Sequence, residues 1–409
     1  MPRSRTAQVA AVAALAVAVG AFLAVAAVRH GFFDLRVYHG AVTFWAREGG
    51  ELYDYLKPDS RYGFTYPPFA ALVMLPLAVL PWHAAIVLSV LGTGAATAAV
   101  LRWLGAPLVR RAGWPPWFAL SCALLLAAAF EPMRETVNFG QVNALLLAVV
   151  AADLLFGVAR GRPWAGAAIG LATAVKLTPG IFVLYLLVTG RWRAAATAVG
   201  AAAAATVVAG AVAPDASREF WTQALWNTDR VGDVSFVSNQ SLLGVVARVT
   251  PAAAVAALWA VLVGAALLWW GWRARRAVAA GDEAAGLALT GVVGCLISPV
   301  TWVHHLVWLL PALLLVVDGA LARPAGGRRR TLLGFAALAY AVLCSRLIWL
   351  WQDGAGGAVA FVGANAYVWL SVALFALVPI RGGPGRPDAA GGRVDRQPPR
   401  SSMMDPALS

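Results

Sequence analysis

The sequence predicts an all-α protein that crosses a membrane many times. Hydrophobic residues make up 61% of its 409 positions and charged residues 12%, with a mean hydropathy of +0.73. Soluble domains carry roughly a quarter charged residues. The apolar residues fall in blocks of roughly 15 to 25, and ~20 suffice for one helix to cross the hydrocarbon core. Short clusters of arginine, or of Gly and Pro, separate the blocks. The apolar–polar alternation of a membrane β-barrel is absent, so the expected architecture is a helical bundle.

The arginines order the spans. The formal net charge is +13, and all of the 32 basic residues except Lys57 and Lys176 are arginine. They cluster at block ends, as Arg3/Arg5, Arg110/Arg111, Arg160/Arg162, Arg191/Arg193, Arg273/Arg275/Arg276 and Arg328/Arg329/Arg330. Such clusters anchor cytoplasmic ends, which accounts for the basic balance through the lipid bilayer; no nucleic-acid partner is implied. The three cysteines, Cys122, Cys295 and Cys344, lie inside apolar blocks without CxxC spacing, so neither a disulfide framework nor a zinc site is supported.

With the amino terminus cytoplasmic, block 7–28 is a retained first span, too long for a signal-peptide core, and it carries residues 29–66 outside. Two crossings follow, one ending near 102–111 and one over 117–132, and return 133–143 to the outer face. Block 144–159 comes back in. Block 165–190 has arginines at both ends and Lys176-Leu177-Thr178-Pro179 in its middle. It reads as two short helices broken near Pro179, a feature tolerated in membranes where it lines a cavity. Block 194–213 goes out, 214–250 is a second outer segment, and 251–272, 284–300 and 303–322 cross in turn. The pair 331–350 and 365–380 leaves the carboxy terminus inside. Residues 66–81 are re-entrant or part of a longer span. The total is about twelve transmembrane helices, with 1–380 as one domain and 381–409, rich in Gly, Pro, Arg and Ser, as a disordered cytoplasmic tail.

Every polar segment without arginine anchoring falls on the outer face: 34–66, 133–143, 176–179, 214–241 and 298–305. Asp34 follows the first span among apolar neighbours. It is either a general base, its proton affinity raised by desolvation, or an interfacial carboxylate paired with Arg36 or Arg29. Lys176 lies mid-block beside a proline break, where it either meets an anionic ligand or snorkels to the interface. His304 and His305 point about 100° apart on a helix, a poor metal pair; they bind an anion or serve as polar anchors. The amides of 138–143, with Gln141 and Asn143, and of 238–241, with Asn239 and Gln240, suit sugar hydroxyls, helix caps or turns. The stretch 62–68 is an aromatic belt or a sugar platform. No P-loop or dinucleotide fingerprint occurs, so an enzyme of this kind takes its activated substrate from the membrane.

Six segments in order resemble glycosyltransferase family 87, within the GT-C superfamily: Asp34-Leu35-Arg36-Val37-Tyr38; Phe64-Thr65-Tyr66-Pro67-Pro68; Gly140-Gln141-Val142-Asn143; Val175-Lys176-Leu177-Thr178-Pro179 with Gly190-Arg191-Trp192-Arg193; Asn239-Gln240-Ser241-Leu242; and Ser298-Pro299 through His304-His305. The resemblance implies a GT-C architecture and transfer of mannose, with inversion, from a polyprenyl-phosphate donor to a glycolipid acceptor at the extracytoplasmic face of the plasma membrane. It implies Asp34 as the catalytic base. It also implies Arg36, Tyr38, Tyr66, Arg134, Gln141, Asn143, Lys176, Asn239, Gln240, His304 and His305 as substrate-binding residues, with no metal or other cofactor required. Lys176, His304, His305 or Arg134 would steady the leaving phosphate. Some family members transfer arabinofuranose, and the cavity segments do not separate the two sugars. A secondary transporter would also use broken helices, but no inverted repeat is found. A non-catalytic flippase would share the cavity and tolerate loss of Asp34.

Overall fold

A computed structural model describes residues 4–26, 28, 30–227, 230, 232–354 and 356–382. The tail expected from 381 therefore lies, from residue 383 onward, outside the described residues, as do Arg3 and Arg29. Among the described residues the structure is helical, and its β pairing is one isolated bridge, Leu56 to Gly63.

Six helices among the described residues are long and apolar enough to cross a membrane: Arg5–Ala26, Trp82–Ala112, Asn143–Arg160, Trp192–Val212, Ala252–Ala279 and Val303–Leu321. Two bent pairs bring the number to eight if each is one span: Pro116–Ala129 with Glu131–Phe139, bent by 75°, and Ala358–Ala364 with Ala366–Leu377, bent by 63°. The sequence count of about twelve came from hydropathy blocks that include shorter helices. Pro68–Val79, Thr178–Val188 and Glu283–Ile297 are apolar but short. At 1.5 Å per residue, Pro68–Val79 reaches about 18 Å, well short of the ~30 Å hydrocarbon core. Residues 66–81 thus form a short insertion ahead of the long Trp82–Ala112 helix rather than a span of their own.

The breaks have local causes. Pro132, which has no N–H to give a preceding turn, sits in the first turn of Glu131–Phe139, and Phe130 before it is extended. Lys176 is extended (φ −148°, ψ 132°) between helix Ala167–Val175 and the Thr178–Gly180 turn that contains Pro179. The start of Ala167–Val175 is tied by the buried Asp153, whose carboxylate accepts from Gly166 N (2.9 Å) and Ile169 N (3.0 Å). An anion at a helix N-terminus satisfies otherwise unpaired donors and the helix dipole.

Among the described residues two large hydrophobic cores result, beside a small cluster of Val19, Ala129 and Cys344. The larger joins most of the spans. The smaller gathers helix Phe33–Arg47 with Leu52, Tyr53, Phe64, Tyr66, the Pro68–Val79 segment and Phe220. Val142 and Val175 pack against both. These two residues flank Gln141, Asn143 and Lys176 in the chain, so the polar side chains sit at the seam between the cores.

Candidate active site

A cavity of about 690 Å³ opens at this seam, lined by residues from all five polar segments: Asp34, Val37 and Tyr38; Tyr62 and Tyr66; Glu135, Phe139 and Gln141; Lys176 and Thr178; Arg230, Phe236 and Ser238; and Trp302, His304 and His305. Its size is within the roughly 300–1,000 Å³ of small-molecule sites. The prediction that these segments serve one cavity rests on their order and charge, and they meet here.

Asp34 lies in the first turn of helix Phe33–Arg47, which is not among the candidate spans. It is half-buried, and its Oδ2 accepts from Gln141 Nε2 at 2.7 Å. The amide is oriented from behind. Tyr38 donates to the Tyr66 hydroxyl (2.9 Å), which donates to Gln141 Oε1 (2.9 Å). Burial raises both tyrosine hydroxyls above their usual range, so they stay protonated and keep that direction. Removal from bulk water lifts the Asp34 carboxyl to about 6, against the opposing effects of the Gln141 hydrogen bond and the Lys176 charge. A carboxylate poised near neutrality is the expected form of a general base.

Gly140 sets this contact. Its φ is +70°, closing helix Glu131–Phe139 in the left-handed region, and a Cβ there would stand 2.5 Å from Leu35 Cβ. A glycine lets the turn carrying Gln141 press against the helix carrying Asp34.

Beside the carboxylate lies a buried amine, which loss of water brings down to about 7. Lys176 Nζ donates to Asn143 Oδ1 at 2.8 Å, stands 3.2 Å from His305 Nε2, and lies over the Tyr66 ring at 5.0 Å. The other end of the Asn143 amide donates to the His304 carbonyl (3.2 Å), which also accepts from Thr136 Oγ1 (3.0 Å). His304 is buried against Phe139 and His305, and its Nε2 has no hydrogen-bond partner among the described residues. An unmatched buried donor or acceptor is costly, and this one lines the cavity, where a ligand can satisfy it. Among the described residues no three His, Cys, Asp or Glu side chains group to hold a metal ion.

Other expected substrate-binding residues are not among the cavity-lining side chains. Arg36, two positions and so ~200° around the helix from Asp34, donates to Gly31 O (2.9 Å) and stacks on Trp82. It does not pair with Asp34. Arg134 is buried and donates to the carbonyls of Ala129 and Cys344, fastening two helix ends together. Asn239 and Gln240 are fully buried in backbone contacts. Asn239 accepts from Thr301 N (2.9 Å) and donates to Pro299 O (3.0 Å), and Gln240 donates to Val237 O and Ala364 O. They hold the 298–302 loop that presents His304 and His305. Tyr38, Tyr66 and Gln141 do reach the cavity, but their mutual hydrogen bonds lead to Asp34. Asn143 touches Lys176 and supports the histidines.

The sequence reading passed over His30, Glu135, Arg230, Phe236, Trp302 and Trp349, all of which line the cavity. One signal was available: Glu131, Arg134 and Glu135 are ionisable residues at the end of an apolar block, where a charge needs a partner. Glu131 bonds Tyr367 and Trp349 Nε1 (2.7 Å), and Glu135 lies 2.8 Å from His30 Nε2 and 3.4 Å from Arg346 Nη1.

The chain is similar to known proteins over most of its length. Over 325 residues the chain is 34% identical to a polyprenol-phosphate-mannose-dependent alpha-(1-2)-phosphatidylinositol pentamannoside mannosyltransferase of Mycolicibacterium smegmatis, covering 76% of this chain and 75% of the relative. Over 302 residues it is 34% identical to a polyprenol-phosphate-mannose-dependent alpha-(1-2)-phosphatidylinositol mannoside mannosyltransferase of Mycobacterium tuberculosis, covering 69% of each. No solved structure matches the chain. Residues 64–299 match glycosyltransferase family 87, and with these relatives the match establishes that the chain is a multi-pass membrane member of that family.

Proposed function

We propose that the protein transfers mannose from a polyprenyl-phosphate carrier to a hydroxyl of a phosphatidylinositol mannoside-type glycolipid, forming an α-(1→2) linkage. The observation that carries the reading is the half-buried Asp34 carboxylate, oriented by Gln141 and set beside Lys176 and an unpartnered His304 in one cavity. The relatives' names supply the sugar, the carrier and the acceptor class.

In this reaction the acceptor hydroxyl gives its proton to Asp34 as its oxygen bonds to the mannosyl C1. The C1–O bond to phosphate breaks, and its electron pair leaves with the polyprenyl phosphate. Attack on the face opposite the leaving group inverts C1. One base and one site for the departing anion suffice, with no covalent intermediate. Lys176, His304 and His305 take up the developing phosphate charge, and no step is routed through a metal. Both reacting lipids reach the cavity from the bilayer, and the site faces the extracytoplasmic side of the plasma membrane with both termini inside.

The reading is tested with purified protein in liposomes containing a phosphatidylinositol mannoside acceptor and a chelator. Labelled polyprenyl-phosphate mannose is compared with polyprenyl-phosphate arabinofuranose. Transfer from the mannose carrier into an α-(1→2)-mannosidase-sensitive product is expected. Transfer from the arabinose carrier instead assigns the other sugar, and movement of lipid without glycoside formation points to a flippase.

A further inference from the structure

Part of the cavity wall has no role in the transfer as described. Glu135 is buried yet lines the cavity, with the Arg346 guanidinium 3.4 Å away and His30 Nε2 at 2.8 Å. The same wall carries a group of aromatic rings. Phe236 packs edge-on against Trp302 (6.3 Å between centroids) and against Trp349 (5.9 Å). Trp349 is pinned by its indole N–H to Glu131 (2.7 Å) and by the Arg346 guanidinium over its ring (5.0 Å). His30 in turn stacks on Phe139 at 4.1 Å, which fixes the imidazole beside the carboxylate.

The chemistry selects a neutral, polyhydroxylated ligand. A carboxylate repels the donor phosphate, which the Lys176 side of the cavity receives. A carboxylate that shares one guanidinium with Glu131 still offers lone pairs for hydroxyl donors, and hydrogen bonds to an ionised acceptor are the stronger kind. Aromatic rings with exposed faces suit the C–H face of a pyranose, as sites of this sort combine apolar surface with a few fixed polar groups. Phe236 is 41% exposed, so its ring is open to such a contact.

We infer that Glu135, His30, Phe236, Trp302 and Trp349 form a second sugar subsite, holding an acceptor hexose next to the one whose hydroxyl faces Asp34. The inference rests on the transferase reading above and deepens it: the enzyme measures its acceptor as at least a disaccharide. Glu135 and His30 bind hydroxyls, and the aromatic group supports the ring.

The test uses the purified full chain with polyprenyl-phosphate mannose and soluble acceptors, octyl α-mannoside against a panel of octyl dimannosides differing in linkage. Wild type is expected to favour the best dimannoside by about tenfold in kcat/KM, roughly what one good hydrogen bond with a stacking contact supplies. In Phe236→Ala, and in Glu135→Gln, the ratio of kcat/KM for dimannoside over monomannoside is expected to fall toward one. Glu135→Gln alters a buried pair, so Phe236→Ala, at an exposed ring, carries the test if the first variant does not fold. A ratio unchanged in Phe236→Ala, or a wild type indifferent to acceptor length, overturns the subsite. Absence of transfer to every acceptor by wild type overturns the transferase reading, and the subsite with it.

Discussion

Replacing Gln141 with leucine removes the hydrogen bond that holds the Asp34 carboxylate, and the consequence for pH dependence can be worked out. The 2.7 Å contact from Gln141 Nε2 to Asp34 Oδ2 stabilises the ionised form, and Asp34 has a pKa of about 6 with that donor in place. Hydrogen bonds to charged groups are worth about 1.5–3 kcal/mol, and one pKa unit corresponds to about 1.4 kcal/mol. Because the carboxylate is half-open to the cavity, the lower end applies, a shift of about one unit. The sign follows from the donor's role. Losing it disfavours the carboxylate, raises the pKa and moves the acidic limb of kcat/KM upward, toward pH ~7. At pH 6 about half of wild-type Asp34 is ionised, against roughly a tenth in the variant, so the variant loses about fivefold there beyond any loss seen at pH 8. The assay is transfer from labelled polyprenyl-phosphate mannose at limiting acceptor between pH 5 and 8.5. Tyr66→Phe, which frees the amide to turn, should shift the limb the same way by less. An acidic limb that stays in place or moves down in Gln141→Leu refutes the reasoning.

Three further outcomes are expected. Lys176→Met removes a positive charge that favours the Asp34 carboxylate, so the acidic limb rises, and KM for the polyprenyl-phosphate donor increases by about tenfold, as loss of a charge-assisted contact predicts; an unchanged donor KM removes Lys176 from the phosphate site. Gly140→Ala forces a Cβ to within 2.5 Å of Leu35 Cβ at a φ of +70°, costing about 1–2 kcal/mol in backbone strain before any displacement. The thermal midpoint of the solubilised protein and the transfer rate should both fall. Arg134→Gln leaves the Ala129 and Cys344 carbonyls without their donor, a loss of about 1–3 kcal/mol that lowers the thermal midpoint; a raised donor KM with unchanged stability would return Arg134 to the substrate site.

Much of the site was legible because ionisable and amide residues are costly in a membrane protein unless they have a partner, and so they stand out. Asp34, Gln141, Lys176, His304 and His305 could be gathered by span order before any coordinates. Separating cavity residues from scaffold was not possible at that level. Arg36 and Asp34 share a motif, but two positions of helix turn one toward Trp82 and the other into the cavity. Asn239 and Gln240 have the same chemistry as Gln141, yet their partners are the carbonyls of Pro299, Val237 and Ala364. Pro299 and Ala364 come from distant parts of the chain that hydropathy cannot pair, and Val237 lies three residues away in the same turn. The number of spans is less legible for a related reason. A hydropathy block gives apolar length without showing how much of it one straight helix carries, so short helices such as Thr178–Val188 and Glu283–Ile297 enter the count of about twelve. Glu135 and Trp349 went unremarked because each looks like an interfacial anchor until the fold sets them on a shared wall.

The central claim is that Asp34 accepts the proton of the acceptor hydroxyl. Its most direct test is a single-turnover comparison of wild type with Asp34→Asn in the same liposomes, with donor binding measured alongside. The asparagine is isosteric and can still meet Gln141, so the donor should bind within about threefold, while the transfer step should slow by about 10²–10⁴, the contribution of general-base catalysis. Transfer at the wild-type rate by Asp34→Asn would contradict the account.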